Sequence, residues 1–118
     1  MSVDPLIELR DRLRDFTRER EWDRYHTPKN LAMALIVEAA ELAEHFQWLT
    51  PAESQSLRHG ARHEAIRDEL ADVLIYLIEL ADALEVDLAA AVRAKIGKNA
   101  LKYPVDKARG NAKKYDEL

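Results

Sequence analysis

At 118 residues the chain has the length of one domain with one core. A content of 47% hydrophobic and 34% charged residues with only 3 Gly and 4 Pro excludes collagen-like, low-complexity and membrane-spanning classes. The absence of Cys and the net charge of -4 remove disulfides, thiolate metal sites and cysteine nucleophiles, and argue against nucleic acid as a partner, leaving a small anionic substrate held through bound cations. With no long apolar run and no basic-then-apolar leader in the sequence, no membrane association and a cytoplasmic location are expected.

Asp4 before Pro5 reads as a helix cap and first helical position, and Leu6, Leu9, Leu13 and Phe16 recur at helical spacing to about Arg20. Residues 21–26 break that period with Trp22, Tyr25 and His26, and Thr27-Pro28 restarts a helix that runs from Lys29 to Trp48. Its segment Leu31–Val37 is apolar on every face, so part of it is expected to face another subunit and the chain to form a homo-oligomer, at least a dimer.

Thr50 and Glu53 have capping-box spacing, and Gly60 can end the short helical link they begin. Ile66, Leu70, Val73, Leu77, Leu80 and Leu84 then form the longest apolar stripe, predicting a third main helix from about Arg62 to Leu84. Asp87 caps a fourth, carrying Leu88, Val92, Lys95 and Asn99 until Tyr103-Pro104 stops it. The expected organisation is an all-α, four-helix bundle-like domain over 1–103 and a polar, flexible tail over 104–118.

Two acidic pairs carry the chemistry. Glu38 and Glu41 on the second helix, and Glu69 and Asp72 on the third main helix, each have i,i+3 spacing that puts both carboxylates on one face. Glu38 falls about 20° outside the arc of Leu31, Leu35, Leu42, Phe46 and Leu49, and Glu41 about 60° further round, at the apolar boundary. Glu69 borders the third helix's stripe, with Asp72 and Tyr76 along the same edge. Packing the two helices brings four acids together, and such a cluster needs cations; an all-oxygen donor set favours Mg²⁺ or Mn²⁺. Acids at i,i+3 in a chain with 22 of them are commonly solvated, but Glu38's register does not lie opposite the apolar arc.

Lys95 and Asn99 continue the fourth helix's stripe, a cation and an amide suited to phosphate oxygens beside a metal-loaded pocket. Trp22, His26, Trp48 and Tyr76 offer flat or polar-tipped rings for a nucleobase, against an ordinary core role. His45, His59 and His63 fall in no ligand pattern. No phosphate loop, dinucleotide fingerprint or serine elbow occurs. A di-iron carboxylate bundle would need Glu-x-x-His on two helices, and the sequence has none.

The segments EREWDRYHTPKNLAMALIVEAAELAEHFQWL from Glu19 to Leu49, RDELADVLIYLIELAD around Glu69 and Asp72, and KIGKNALKYP from Lys95 resemble the MazG-like all-α nucleoside triphosphate pyrophosphohydrolases, most closely their dCTP pyrophosphatase branch. The resemblance spans nearly the whole chain. It implies Mg²⁺-dependent cleavage of a nucleoside triphosphate, dCTP or a related pyrimidine deoxynucleotide, to monophosphate and pyrophosphate. It further implies metal binding by Glu38, Glu41, Glu69 and Asp72, with Glu38 or Glu41 as base. By the same likeness Trp22, His26, Trp48 and Tyr76 shape the base and sugar pocket, and Lys95 and Asn99 match phosphate-side positions. MazG proper carries two tandem copies where this chain has one, and single-copy relatives assemble as tetramers built from dimers. The rival expectation is a non-catalytic helical dimerisation module with an acidic surface.

Overall fold

The computed structural model describes residues 4–118. Its elements are helices α1 (Pro5–Glu19), α2 (Pro28–Glu44), α3 (Pro51–Gln55), α4 (His63–Ala83), α5 (Leu88–Lys102) and α6 (Val105–Ala108), with short 3₁₀ turns at Ser56–Arg58 and Tyr115–Glu117. No strand occurs among the described residues, as the absence of alternating patterns predicts, and no described helix is long and apolar enough to cross a membrane.

The caps foreseen from sequence hold the helix starts. Asp4 Oδ1 accepts from Leu6 N at 2.9 Å, Thr27 Oγ1 from Asn30 N at 3.3 Å and Asp87 Oδ1 from Ala90 N at 3.0 Å, each satisfying a backbone donor the first helical turn cannot. Thr50 and Glu53 form a full capping box: Glu53 N donates to Thr50 Oγ1 at 3.1 Å and Thr50 N to Glu53 Oε1 at 3.0 Å. Gly60 takes φ +95° between the 3₁₀ turn and α4, a conformation with no steric cost for glycine.

Helix α2 ends four residues short of the expected Trp48. After Glu44 the bonds tighten to i→i−3 type, with Phe46 N donating to Ala43 O at 2.9 Å and Leu49 N to Phe46 O at 3.0 Å, so the chain coils through tight turns to the capping box at Thr50.

The chain forms two compact units, one ending at Val86 and the other running from Asp87 to Leu118. In the first, α2 packs along α4 and α1 lies against α4. Its buried hydrophobic residues are Leu31, Ile66, Ile78 and Ala81. The α4 stripe is therefore buried differently from the expectation: Ile66 is inside, Leu70, Leu77 and Leu84 are exposed, and the buried line passes through Ile78 and Ala81. A stripe read by period alone marks apolar residues, not the neighbour each one meets. On α2, Met33, Ile36 and Val37 are exposed as well.

In the second unit, α5 is followed by α6 and the 3₁₀ turn, both short and within residues 104–118. Tyr103 and Tyr115 meet edge to face with centroids 6.4 Å apart, and Lys102 Nζ lies 4.9 Å over the Tyr115 ring.

Candidate active site

The connector between α1 and α2 is built by backbone turns. Trp22 N donates to Thr17 O at 3.0 Å, Tyr25 N to Trp22 O at 2.8 Å and His26 N to Trp22 O at 3.2 Å, while Glu21 takes φ +55°. Thr17, buried on α1, donates from Oγ1 to Asp23 Oδ1 at 3.2 Å and so ties the connector to the helix. The result is a chain of rings: Phe16 to Trp22 at 5.8 Å, Trp22 to His26 at 6.0 Å and His26 to Tyr76 of α4 at 6.5 Å. Edge-on and tilted contacts of this kind suit the ring quadrupoles.

These rings wall a cleft of about 330 Å³ that also exposes Glu38 of α2 and Asp72 and Glu79 of α4. Three of the four expected aromatic residues, Trp22, His26 and Tyr76, thus meet two of the four expected acids. Trp48 is in the turn after α2 and 86% exposed, and it is not in the wall of this cleft. Lys95 and Asn99 stand exposed on α5, in the second unit.

The acids sit as their registers require. Glu38 is half-buried and Glu41 exposed. Burial raises the Glu38 pKa above the ordinary carboxylate value, and the neighbouring carboxyls of Glu41, Asp72 and Glu69 push it further in the same direction. Burial and the three neighbouring acids all disfavour a charge at Glu38 in the absence of a cation. Tyr76 is likewise raised, first by burial and then by Glu38, Glu79 and Asp72. One buried oxygen each on Glu38, Glu69 and Glu79 lacks a hydrogen-bond partner. Oxygens left in that condition are costly unless a ligand supplies the missing interaction.

Two residues at the site go beyond the sequence reading, which placed His45 in no ligand pattern and did not single out Glu79. His45, at the end of α2, places Nε2 at 3.0 Å from Glu69 Oε2, off the direction of a hydrogen bond. Glu79 places Oε1 3.7 Å from His26 Nδ1. Its pKa is raised by burial, with His26 opposing and Asp82 adding to the rise. Glu79 was detectable in principle, because it continues the Glu69, Asp72, Tyr76 edge at i+3 from Tyr76. His45 was not, because its partner lies on another helix.

Among the described residues no three His, Asp or Glu side chains converge tightly enough to enclose a metal ion. The donor set nevertheless fits a hard divalent cation: it is all carboxylate, it repels itself, and Glu38 Oε2 is buried without a hydrogen-bond partner.

A cluster of acids joined to a ring-walled cleft of this size can hold a phosphorylated compound with a flat base. Comparison with known proteins agrees. The family model described as MazG-like matches residues 33–118. Human and rat dCTP pyrophosphatase 1 are each 44% identical over 99% of this chain and 70% of their own length, and the bovine protein of that name is 43% identical over the same shares. The crystal structure of a pyrophosphatase from Archaeoglobus fulgidus superposes with a TM-score of 0.81 at 43% identity, covering 88% of this chain and 96% of that one.

Proposed function

The chain belongs to the MazG-like family, and from that membership and its site we propose that it is a nucleoside triphosphate pyrophosphohydrolase that converts dCTP to dCMP and pyrophosphate. The observation that carries the reading is the meeting of Glu38 and Asp72, one from each acidic pair, in the wall of a cleft lined by Trp22, His26 and Tyr76. The names of the relatives point the same way and leave the non-catalytic module without support.

In this reading Glu38, Glu41, Glu69 and Asp72 hold a divalent cation, Mg²⁺ with Mn²⁺ as a substitute. Such an ion, when bound, would supply the counter-charge that the triphosphate needs and would lower the pKa of the attacking water. The carboxylate of Glu38 or Glu41 takes the proton of the attacking water as its oxygen bonds to the α-phosphorus. The bond from that phosphorus to the α,β-bridging oxygen breaks, and pyrophosphate leaves with the electron pair. Trp22, His26 and Tyr76 orient the base between flat faces, with Trp48 as a further ring, and Lys95 and Asn99 serve the phosphates. The exposed apolar residues of α2 and α4 are covered in a homo-oligomer, and the enzyme acts on the free nucleotide pool of the cytoplasm.

The test is hydrolysis of dCTP in H₂¹⁸O with Mg²⁺, followed by mass analysis of the products. Label in dCMP with none in pyrophosphate is the expected result. Release of single phosphates, or no turnover across a panel of nucleoside triphosphates, would overturn the assignment.

A further inference from the structure

Glu79 occupies the end of the cleft away from the acid cluster. On α4 the residues Glu69, Asp72, Tyr76 and Glu79 fall within about 80° of arc, and Asp72 and Glu79 are two turns, about 10 Å, apart along the axis. That span is of the size of a nucleotide measured from its α-phosphate to the far edge of a pyrimidine ring. A nucleotide whose cation-bound phosphates sat at Glu38 and Asp72 would lay its base along Tyr76 and His26 and bring its edge to Glu79, all of them residues of the same cleft wall.

The Glu79 side chain is only 11% exposed. Its Oε1 faces His26 Nδ1 at 3.7 Å, while Oε2 is buried with no hydrogen-bond partner. Leaving a buried carboxylate oxygen unpaired costs stability unless a donor arrives. Rotation about the soft terminal torsion of a glutamate presents either oxygen to the cleft. Glu79 is no part of the acid cluster and has no role in the hydrolytic step described above.

We propose that Glu79 is a specificity-determining residue that accepts a hydrogen bond from the exocyclic amino group of the base, selecting cytosine over uracil and thymine. A carboxylate is an acceptor without a donor, and it complements the N4 amino group of cytosine. Uracil presents O4 at that position, so two acceptors face each other and Oε2 stays unpaired. Sites built around such a pairing reject the analogue that lacks the donor far more strongly than a merely apolar pocket rejects a wrong shape. The inference rests on the nucleotide reading of the cleft and assigns its base preference to one side chain.

The experiment is kcat/KM for dCTP and dUTP, compared between the parent and Glu79→Gln. The glutamine amide is nearly isosteric and, by flipping, accepts from N4 or donates to O4. The expected result is a parent that prefers dCTP and a variant whose dCTP/dUTP ratio falls by at least about 10-fold, mainly through a gain on dUTP. Any loss of folded protein lowers both values equally and leaves the ratio intact. Glu79→Ala, which removes the acceptor altogether, should lower the ratio as well. A parent without preference, a ratio unchanged in both variants, or a parallel fall on both nucleotides, as a contact to the sugar would give, overturns the inference while leaving the hydrolase reading standing. A parent that turns over neither nucleotide overturns the hydrolase reading itself, and this inference with it.

Discussion

Glu38→Gln separates a metal ligand from a solvated acid because loss of a ligand shifts stability in opposite directions without and with metal, whereas loss of a solvated acid changes either little. Glu38 and Glu41 are one turn apart, with Cβ atoms about 5–6 Å from each other. Two like charges about 6 Å apart repel by about 3 kcal/mol at an effective dielectric of about 20, and a fully solvated like-charge pair on a helix costs about 0.5 kcal/mol. Glu38 is half-buried with Oε2 out of solvent while Glu41 is exposed, so the relief lies between these bounds. In metal-free protein the variant should gain about 1 kcal/mol, a rise in Tm of about 3–6 °C. A divalent cation present at about a hundred times its Kd stabilises the parent by about 2.7 kcal/mol, and the weakened site of the variant captures much less of this. The order of melting temperatures should therefore invert between EDTA and Mg²⁺. Pyrophosphate release by the variant should fall at least about 100-fold. Thermal melts of both proteins in both conditions, with a pyrophosphate assay, check each part. Equal melting temperatures in EDTA, an equal Mg²⁺ shift and near-parental activity would refute the placement of Glu38 in a metal-binding cluster.

Three further outcomes follow from the fold. Leu31→Ala, at a position 2% exposed, should cost about 3 kcal/mol in denaturant titrations; a loss under about 1 kcal/mol, within the range of surface substitutions, would contradict its place in the core. Arg14 donates to Asp82 from Nε at 2.8 Å and from a terminal nitrogen at 2.5 Å. This pairing, with Arg10 adding to it, holds the Asp82 pKa below the ordinary aspartate value, against partial burial; Glu79 is the acid one turn away on α4. Since a depressed folded pKa adds stability that is present above the unfolded value near 3.9 and lost as pH falls through the folded one, the Tm gap between parent and Asp82→Asn should be level above about pH 5 and close below pH ~4. A gap that persists at low pH would refute the charge argument. Light scattering at micromolar concentration should give a mass that is a multiple of 13.6 kDa, since Ile36 at 66% exposure, with Met33 and Val37 beside it, leaves an apolar face on α2 uncovered; a monomer mass would refute the oligomer.

Helix identity and helix starts were legible in the sequence because their causes are local. Asp4, Thr27, Thr50 and Asp87 act on donors two or three residues away, and a 3.6-residue period needs no knowledge of what covers it. The inward register of Glu38 was legible for the same reason, and its half-burial among other acids follows from it. The tight turns after Glu44 were not, since His45 to Leu49 contain no glycine or proline to mark an end. Which side of α4 is covered was decided by packing: Ile78 and Ala81 are inside while Leu70 and Leu77 are not, and the helix has apolar residues on both sides. Tertiary structure also brought His45 to Glu69 and Glu79 to His26. Those pairs join residues 24 and 53 positions apart in the chain, and no local pattern encodes the packing that sets the connector and the end of α2 against α4.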